Sequence, residues 1–113
     1  MLSKLLFGVL VFISFSCSSA QMGWSGKAKI TKLYAVSDDW LLIKLSSSAN
    51  PSECKTTADG DILIYPNTQK TFYNLLLAAH MAGREVDIFI IPPCGTTHWE
   101  GSSFSSVGHV IVY

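Results

Sequence analysis

Apolar positions recur along this chain with two different periods. From Lys27 to Tyr65, and again from Val86 to Tyr113, they tend towards every second residue, the spacing of strands with one buried face. Between Thr68 and Gly83 they recur at helical spacing instead. Read in order, Lys27–Val36 is a strand with Ile30, Leu33, Tyr34 and Val36 as its apolar contributors, and their broken alternation predicts a bulge near Lys32. Ser37-Asp38-Asp39 is a turn. Trp40–Leu45 returns as a second strand, with Leu41, Ile43 and Leu45 on one face, so the two form an antiparallel hairpin. Ser46–Asp61, small and polar with Pro51 and Gly60, is a loop; Ile62–Tyr65 is a short third strand. After the helix, Val86–Ile91 is a fourth strand that Pro92-Pro93 is expected to stop. Cys94–Ser106 is a long loop, and Val107–Tyr113 is the last strand. Gln21–Gly26 reads as a loose lead-in, whose Trp24 either covers the end of the core or stacks on a ligand.

Five strands with one helix between the third and fourth is the order of the OB-fold, a small partly open Greek-key barrel. An α+β sheet crossed by one helix is the alternative, because periodicity does not say whether a sheet closes. Pro66-Asn67-Thr68 marks the helix start and Gly83 its end. At about 100° per residue, Phe72, Leu75, Leu76, Ala79 and Ala82 share the expected core face. Lys70 and Asn74 lie opposite. Leu77 and Met81 share that polar side, with Tyr73 and His80 along the flank, which makes part of a second apolar stripe. Tyr73, Leu77, His80 and Met81 are therefore candidates for an interface with a second copy of the chain. The competing reading is that scattered surface apolar residues are ordinary.

The 113 residues allow one domain. Lys4, the short apolar run Leu5–Phe15 and the small residues Ser18-Ser19-Ala20 read as a signal peptide over residues 1–20, cleaved before Gln21. A lipoprotein reading centred on Cys17 is disfavoured by Ser14, where a large aliphatic residue is expected. The domain is then 21–113, secreted or periplasmic, with no membrane span after cleavage. Cys54 and Cys94 remain and are expected to form one disulfide. Without Lys4, seven basic and eight acidic side chains leave the domain near neutral, with no basic footprint for nucleic acid.

Catalysis finds little to build on. No nucleophile-elbow pattern occurs, and of the three histidines, His80, His98 and His109, the last two lack the close spacing and companion ligands of a metal site. Asp38 and Asp39 are adjacent turn acids. No catalytic residue, metal or cofactor is expected. A sugar site needs an aromatic face with a few rigid polar groups, and two stretches offer both. One is the turn before and including Trp40, with Asp38 and Asp39; the other is Thr96–Glu100, with His98, Trp99 and Glu100. For each tryptophan the competing reading is plain packing.

The run from Phe72 through Leu75, Leu76, Ala79 and Gly83 into Val86-Asp87-Ile88-Phe89-Ile90 resembles a segment of the binding subunit of subtilase cytotoxin. There a Phe-x-x-Leu-Leu-x-x-Ala helix ends in Gly and runs into Val-x-Ile-x-Val. Gly26-Lys27-Ala28-Lys29-Ile30 and Asn50-Pro51-Ser52-Glu53-Cys54 are similar to motifs of a wider group of small exported bacterial proteins. The resemblance implies an OB-fold subunit assembling into a ring of five, with helices lining the centre and pockets facing cell-surface glycans. It also admits an enzymatic A subunit as a partner; no sugar-contacting residue is carried over. The expectation is a non-catalytic, glycan-binding homo-oligomer. A protein-binding accessory or inhibitor is the alternative.

Overall fold

The computed structural model describes residues 21–113, so the expected leader and its cleavage point lie outside the described residues. The strands are β1 (Gly23–Trp24), β2 (Ala28–Ala35), β3 (Leu41–Leu45), β4 (Ile62–Ile64), β5 (Glu85–Gly95) and β6 (Phe104–Val112). The helix α1 (Lys70–Ala82) joins β4 to β5. Together they make one mixed sheet of six strands with one helix.

The pairings run in a circuit. β5 pairs with β2, β2 with β3, β3 with β4, β4 with β6, and β6 returns to β5. Only β4–β6 is parallel. β1 and β2 lie one after the other along the same side of β5, opposite Phe89–Ile90 and Glu85–Val86 respectively. Ser25 stitches them together: its N–H donates to the Ile88 carbonyl and its hydroxyl accepts from the Ile88 N–H. The stretch Gln21–Gly26 is therefore held rather than loose, by backbone bonds that side-chain pattern does not report.

The main core draws on five of these strands and the helix. Ile30, Leu41, Ile43, Leu45, Ile62, Ile64, Val86, Ile88, Ile90 and Val107 meet Leu76 and Ala79 of the helix. The bulge falls between Ile30 and Lys32, where the β2–β3 register shifts. It moves the inward positions of β2 from Ala28 and Ile30 to Leu33. A smaller cluster of Leu42, Leu63 and Phe104 sits apart from the main core, with Val36, Trp40, Tyr65 and Trp99 packed on it.

Three boundaries differ from the sequence expectation by more than one residue. β5 does not stop at Pro92-Pro93 but runs to Gly95; the prolines, lacking N–H groups, sit at a register shift between Ile91 and Gly95. β6 starts at Phe104, which shortens the long loop to residues 96–103. The helix starts at Lys70, because Gln69 turns back on Tyr65: its N–H donates to the Tyr65 carbonyl and its Oε1 accepts from the Tyr65 N–H. The far end closes as expected on Gly83 at φ 66°, with Gly83 N–H to His80 O and Arg84 N–H to Ala79 O.

The helix is also turned about its axis relative to the expected core face. Leu76 and Ala79 are buried, with Phe72 and Tyr73 packed beside them. Leu75 is 40% exposed and Ala82 is exposed, so neither belongs to the interior. The reason is on the other flank, where Tyr73 packs on the core and His80 Nδ1 reaches the Ile30 carbonyl at 3.1 Å. Met81 is 80% exposed and Leu77 half-buried.

Candidate functional site

The β2–β3 hairpin turn and the β5–β6 loop are far apart in sequence, yet the circuit brings their tips together. Trp40, at the end of the turn, stands 5.7 Å centroid to centroid from the His98 ring at 43°. His98 stands 5.3 Å from Trp99 at 54°. Trp99 in turn stacks on Tyr34 of β2 at 5.7 Å with the planes only 6° apart. The four rings form a continuous aromatic array, Tyr34–Trp99–His98–Trp40. The stacked and tilted contacts fall in the range that aromatic quadrupoles favour.

Each part of the array is anchored. Trp40 and Trp99 rest on the Leu42–Leu63–Phe104 cluster, so both indoles pack and both still border solvent. The turn is closed by Val36 N–H to Trp40 O at 2.9 Å and Asp39 N–H to Ser37 Oγ at 3.2 Å. Asn67, just before the helix, donates its amide to Asp39 Oδ1. The loop is tied at its start by the Cys54–Cys94 disulfide, with Cα atoms 5.7 Å apart. At its other end Lys55 N–H donates to Ser103 Oγ at 2.8 Å, and Ser103 N–H donates to Lys55 O at 3.1 Å. Within it, Ser102 Oγ donates to Trp99 O at 3.3 Å and Gly101 turns the chain at φ 79°. The rings are thus carried on short, tethered segments.

Of the expected site residues, Trp40, His98 and Trp99 are in mutual contact. Asp38 and Asp39 precede Trp40 on the turn, Glu100 follows Trp99 on the loop, and all three are exposed. Tyr34 and Lys32 were not among them. Lys32 Nζ lies 5.4 Å from the Tyr34 ring centroid and pairs with Asp59 Oδ1 at 2.8 Å. The signal for both was the bulge: once it resets the alternation, Lys32 and Tyr34 share the outer face of β2. An open hollow of about 480 Å³, lined by Asn67–Phe72, adjoins the Trp40 end through the Asn67–Asp39 bond. Its lining combines polar side chains with Phe72, and the four rings of the array are not part of it.

Trp24 belongs elsewhere, in a row with Phe89 at 5.2 Å and His109 a further 5.4 Å on, across β1, β5 and β6. The three histidines therefore sit in three surroundings, His80 on a backbone carbonyl, His98 between indoles and His109 against Phe89. Among the described residues, no three His, Cys, Asp or Glu side chains gather as metal ligands would, and no helix is long and apolar enough to cross a membrane. Compared with known families, characterised proteins and solved structures, the chain matches none.

Proposed function

We propose that this chain is an exported, non-catalytic binding module of the OB-fold type that recognises a glycan on the Tyr34–Trp99–His98–Trp40 array. The observation that carries the reading is the convergence of two loops, each with an indole and at least one exposed acidic residue, on one end of a sheet whose pairings close. Pyranose rings lay their apolar faces on aromatic rings, while hydroxyls are met by nearby polar groups. Tethered loops on a rigid scaffold hold such a surface ready without an ordering cost at binding.

The OB-fold assignment is supported by the circuit, by its single parallel pairing and by the helix lying between β4 and β5. With β1 and β2 taken as halves of one bent strand, the count is five. The disulfide suits an oxidising compartment, as export would require. Assembly into a homo-oligomer is supported by the apolar side chains left on the helix exterior, Met81 and Leu75 with Leu77 beside them. An enzymatic A subunit would be a further partner on this reading.

The test is a glycan array probed with the purified wild type and Trp99→Ala, alongside its mass in solution. Wild-type binding to a defined set of glycans, lost in the variant, is expected. No glycan signal, together with co-purification of one exported protein, would move the reading to an accessory or inhibitor role.

A further inference from the structure

Resting on the export proposed above, we infer that the mature chain begins at Gln21 and closes on itself there as an N-terminal pyroglutamyl ring. The fold first places residue 21 inside the domain. Ser52, only 4% exposed, donates its hydroxyl to the Gln21 carbonyl at 2.6 Å. Gly23 and Trp24 then pair with Ile90 and Phe89 as β1, and Ser25 ties that strand to Ile88 through its backbone and its hydroxyl. A cut beyond Gln21 would take away the acceptor of the Ser52 hydroxyl and begin to open β1. The leader therefore ends at or before residue 21, and the small residues Ser18-Ser19-Ala20 put the scissile bond directly in front of Gln21.

The second step is chemical. Freed of the leader, Gln21 carries an α-amine that reaches its own side-chain carbonyl carbon, Cδ, through a five-membered ring. The N–Cδ bond forms and the Cδ–Nε2 bond breaks. The amide nitrogen takes a proton from the amine and leaves as ammonia, so no oxidant, reductant or second substrate is needed. An ordinary α-amine titrates near pH ~8, which leaves part of it as the uncharged nucleophile at neutral pH. The fold leaves the reacting atoms free: Gln21 is exposed, and among the described residues neither its backbone nitrogen nor its side-chain amide takes part in a hydrogen bond. The carbonyl oxygen held by Ser52 is untouched by ring closure, so anchoring and cyclisation coexist. The product has lost the terminal positive charge and offers no free amine to an aminopeptidase.

The experiment expresses the full chain, leader included, in an exporting bacterial host. The purified protein is then weighed intact, and its N-terminal peptide sequenced by mass spectrometry, before and after warm incubation at neutral pH. The expected product starts at Gln21 and, after incubation, is predominantly one ammonia lighter than the open chain, with the loss confined to the N-terminal peptide. Gln21→Ala, cut at the same place, should show no such loss. It should also keep the unfolding midpoint of the wild type, because the backbone carbonyl that Ser52 holds is retained. A chain that starts at Gln21 and still has its amine after incubation overturns the cyclisation and leaves export standing. A start at any other residue past the leader's apolar run does the same. A chain that keeps its whole leader overturns both.

Discussion

Two lysine–aspartate pairs in this protein have nearly the same length and should differ several-fold in energetic weight. Lys32–Asp59 closes at 2.8 Å and Lys44–Asp61 at 3.0 Å. Length favours the first slightly. Burial decides for the second, because the Asp61 side chain is 12% exposed and that of Asp59 is 55% exposed. Asp61 also does more than pair. Its Oδ2 accepts the buried Leu45 N–H at 3.0 Å, and its own N–H donates to the Ile43 carbonyl at 2.8 Å. It therefore links the loop before β4 to two points on β3.

Truncating Asp61 to alanine leaves the Leu45 N–H without its acceptor, which costs about 1–3 kcal/mol for a buried donor. Lys44 loses less, since it is partly solvated and also reaches the Thr57 carbonyl at 3.4 Å; the exposed part of that pair contributes well under ~1 kcal/mol. The sum is about 1–4 kcal/mol for Asp61→Ala, against less than ~0.5 kcal/mol for Asp59→Ala. Asp61→Asn, which keeps one oxygen for Leu45 and turns an amide towards Lys44, should fall between them. The assay is urea unfolding of the three variants with the disulfide intact. Midpoints should shift in that order at constant slope, or thermal midpoints should fall by about 4–8 °C per kcal/mol for a domain of this size. An Asp59→Ala loss equal to or larger than that of Asp61→Ala would refute the ranking by burial.

The helix offers a sharp contrast. Leu76→Ala, at a fully buried position, should cost about 2–5 kcal/mol, and Leu75→Ala less than ~1 kcal/mol, read by the same unfolding curves; a large Leu75 loss that grows with protein concentration would instead mark burial in an assembly. Replacing both Cys54 and Cys94 by alanine opens a loop of sequence separation 40, which the chain-entropy model values at roughly 4 kcal/mol. Intact-mass measurement of the wild type should show two hydrogens fewer than the reduced chain. Leu77→Lys combined with Met81→Lys should leave folding intact and yield monomer by light scattering; a wild type already monomeric at micromolar concentration removes the case for assembly. Gly83→Ala should cost about 1 kcal/mol, since the left-handed closing residue is strained once it carries a Cβ, even though open space surrounds the position.

How far the chain could be read beforehand follows from which forces leave a trace in residue type. The β2–β3 hairpin and its bulge were legible because Leu41, Ile43 and Leu45 point one way, and because the apolar set of β2 slips by one position near Lys32. Strand β1 left no such trace, as it is held by backbone pairing with Phe89 and Ile90 and by the hydroxyl of Ser25. The rotation of the helix was ambiguous for a related reason. Leu75 and Tyr73 flank Leu76 on opposite sides, and hydrophobicity alone prefers leucine. The sheet presents a carbonyl at Ile30 that His80 can reach, and that selects the tyrosine side.

The two halves of the candidate site were each legible as an indole beside carboxylates, and their meeting was not, because it depends on a circuit of five pairings. That meeting gives the two tryptophans a packing role that is compatible with the proposed binding one. Trp40 and Trp99 rest on Leu42, Leu63 and Phe104 and at the same time carry the rings that face outward. On the proposed reading, removing either indole should lower stability and sugar binding together, by opening a void over the small cluster as well as deleting a platform. Tyr34 separates the two effects. It is exposed, it stacks on Trp99 from outside, and it takes no part in the small cluster. Tyr34→Ala should hence lower stability by no more than the about 0.5–1.5 kcal/mol of one aromatic pair, while weakening sugar binding several-fold. If affinity and stability fall in proportion in this variant, the array is packing alone and the proposed recognition surface lies elsewhere.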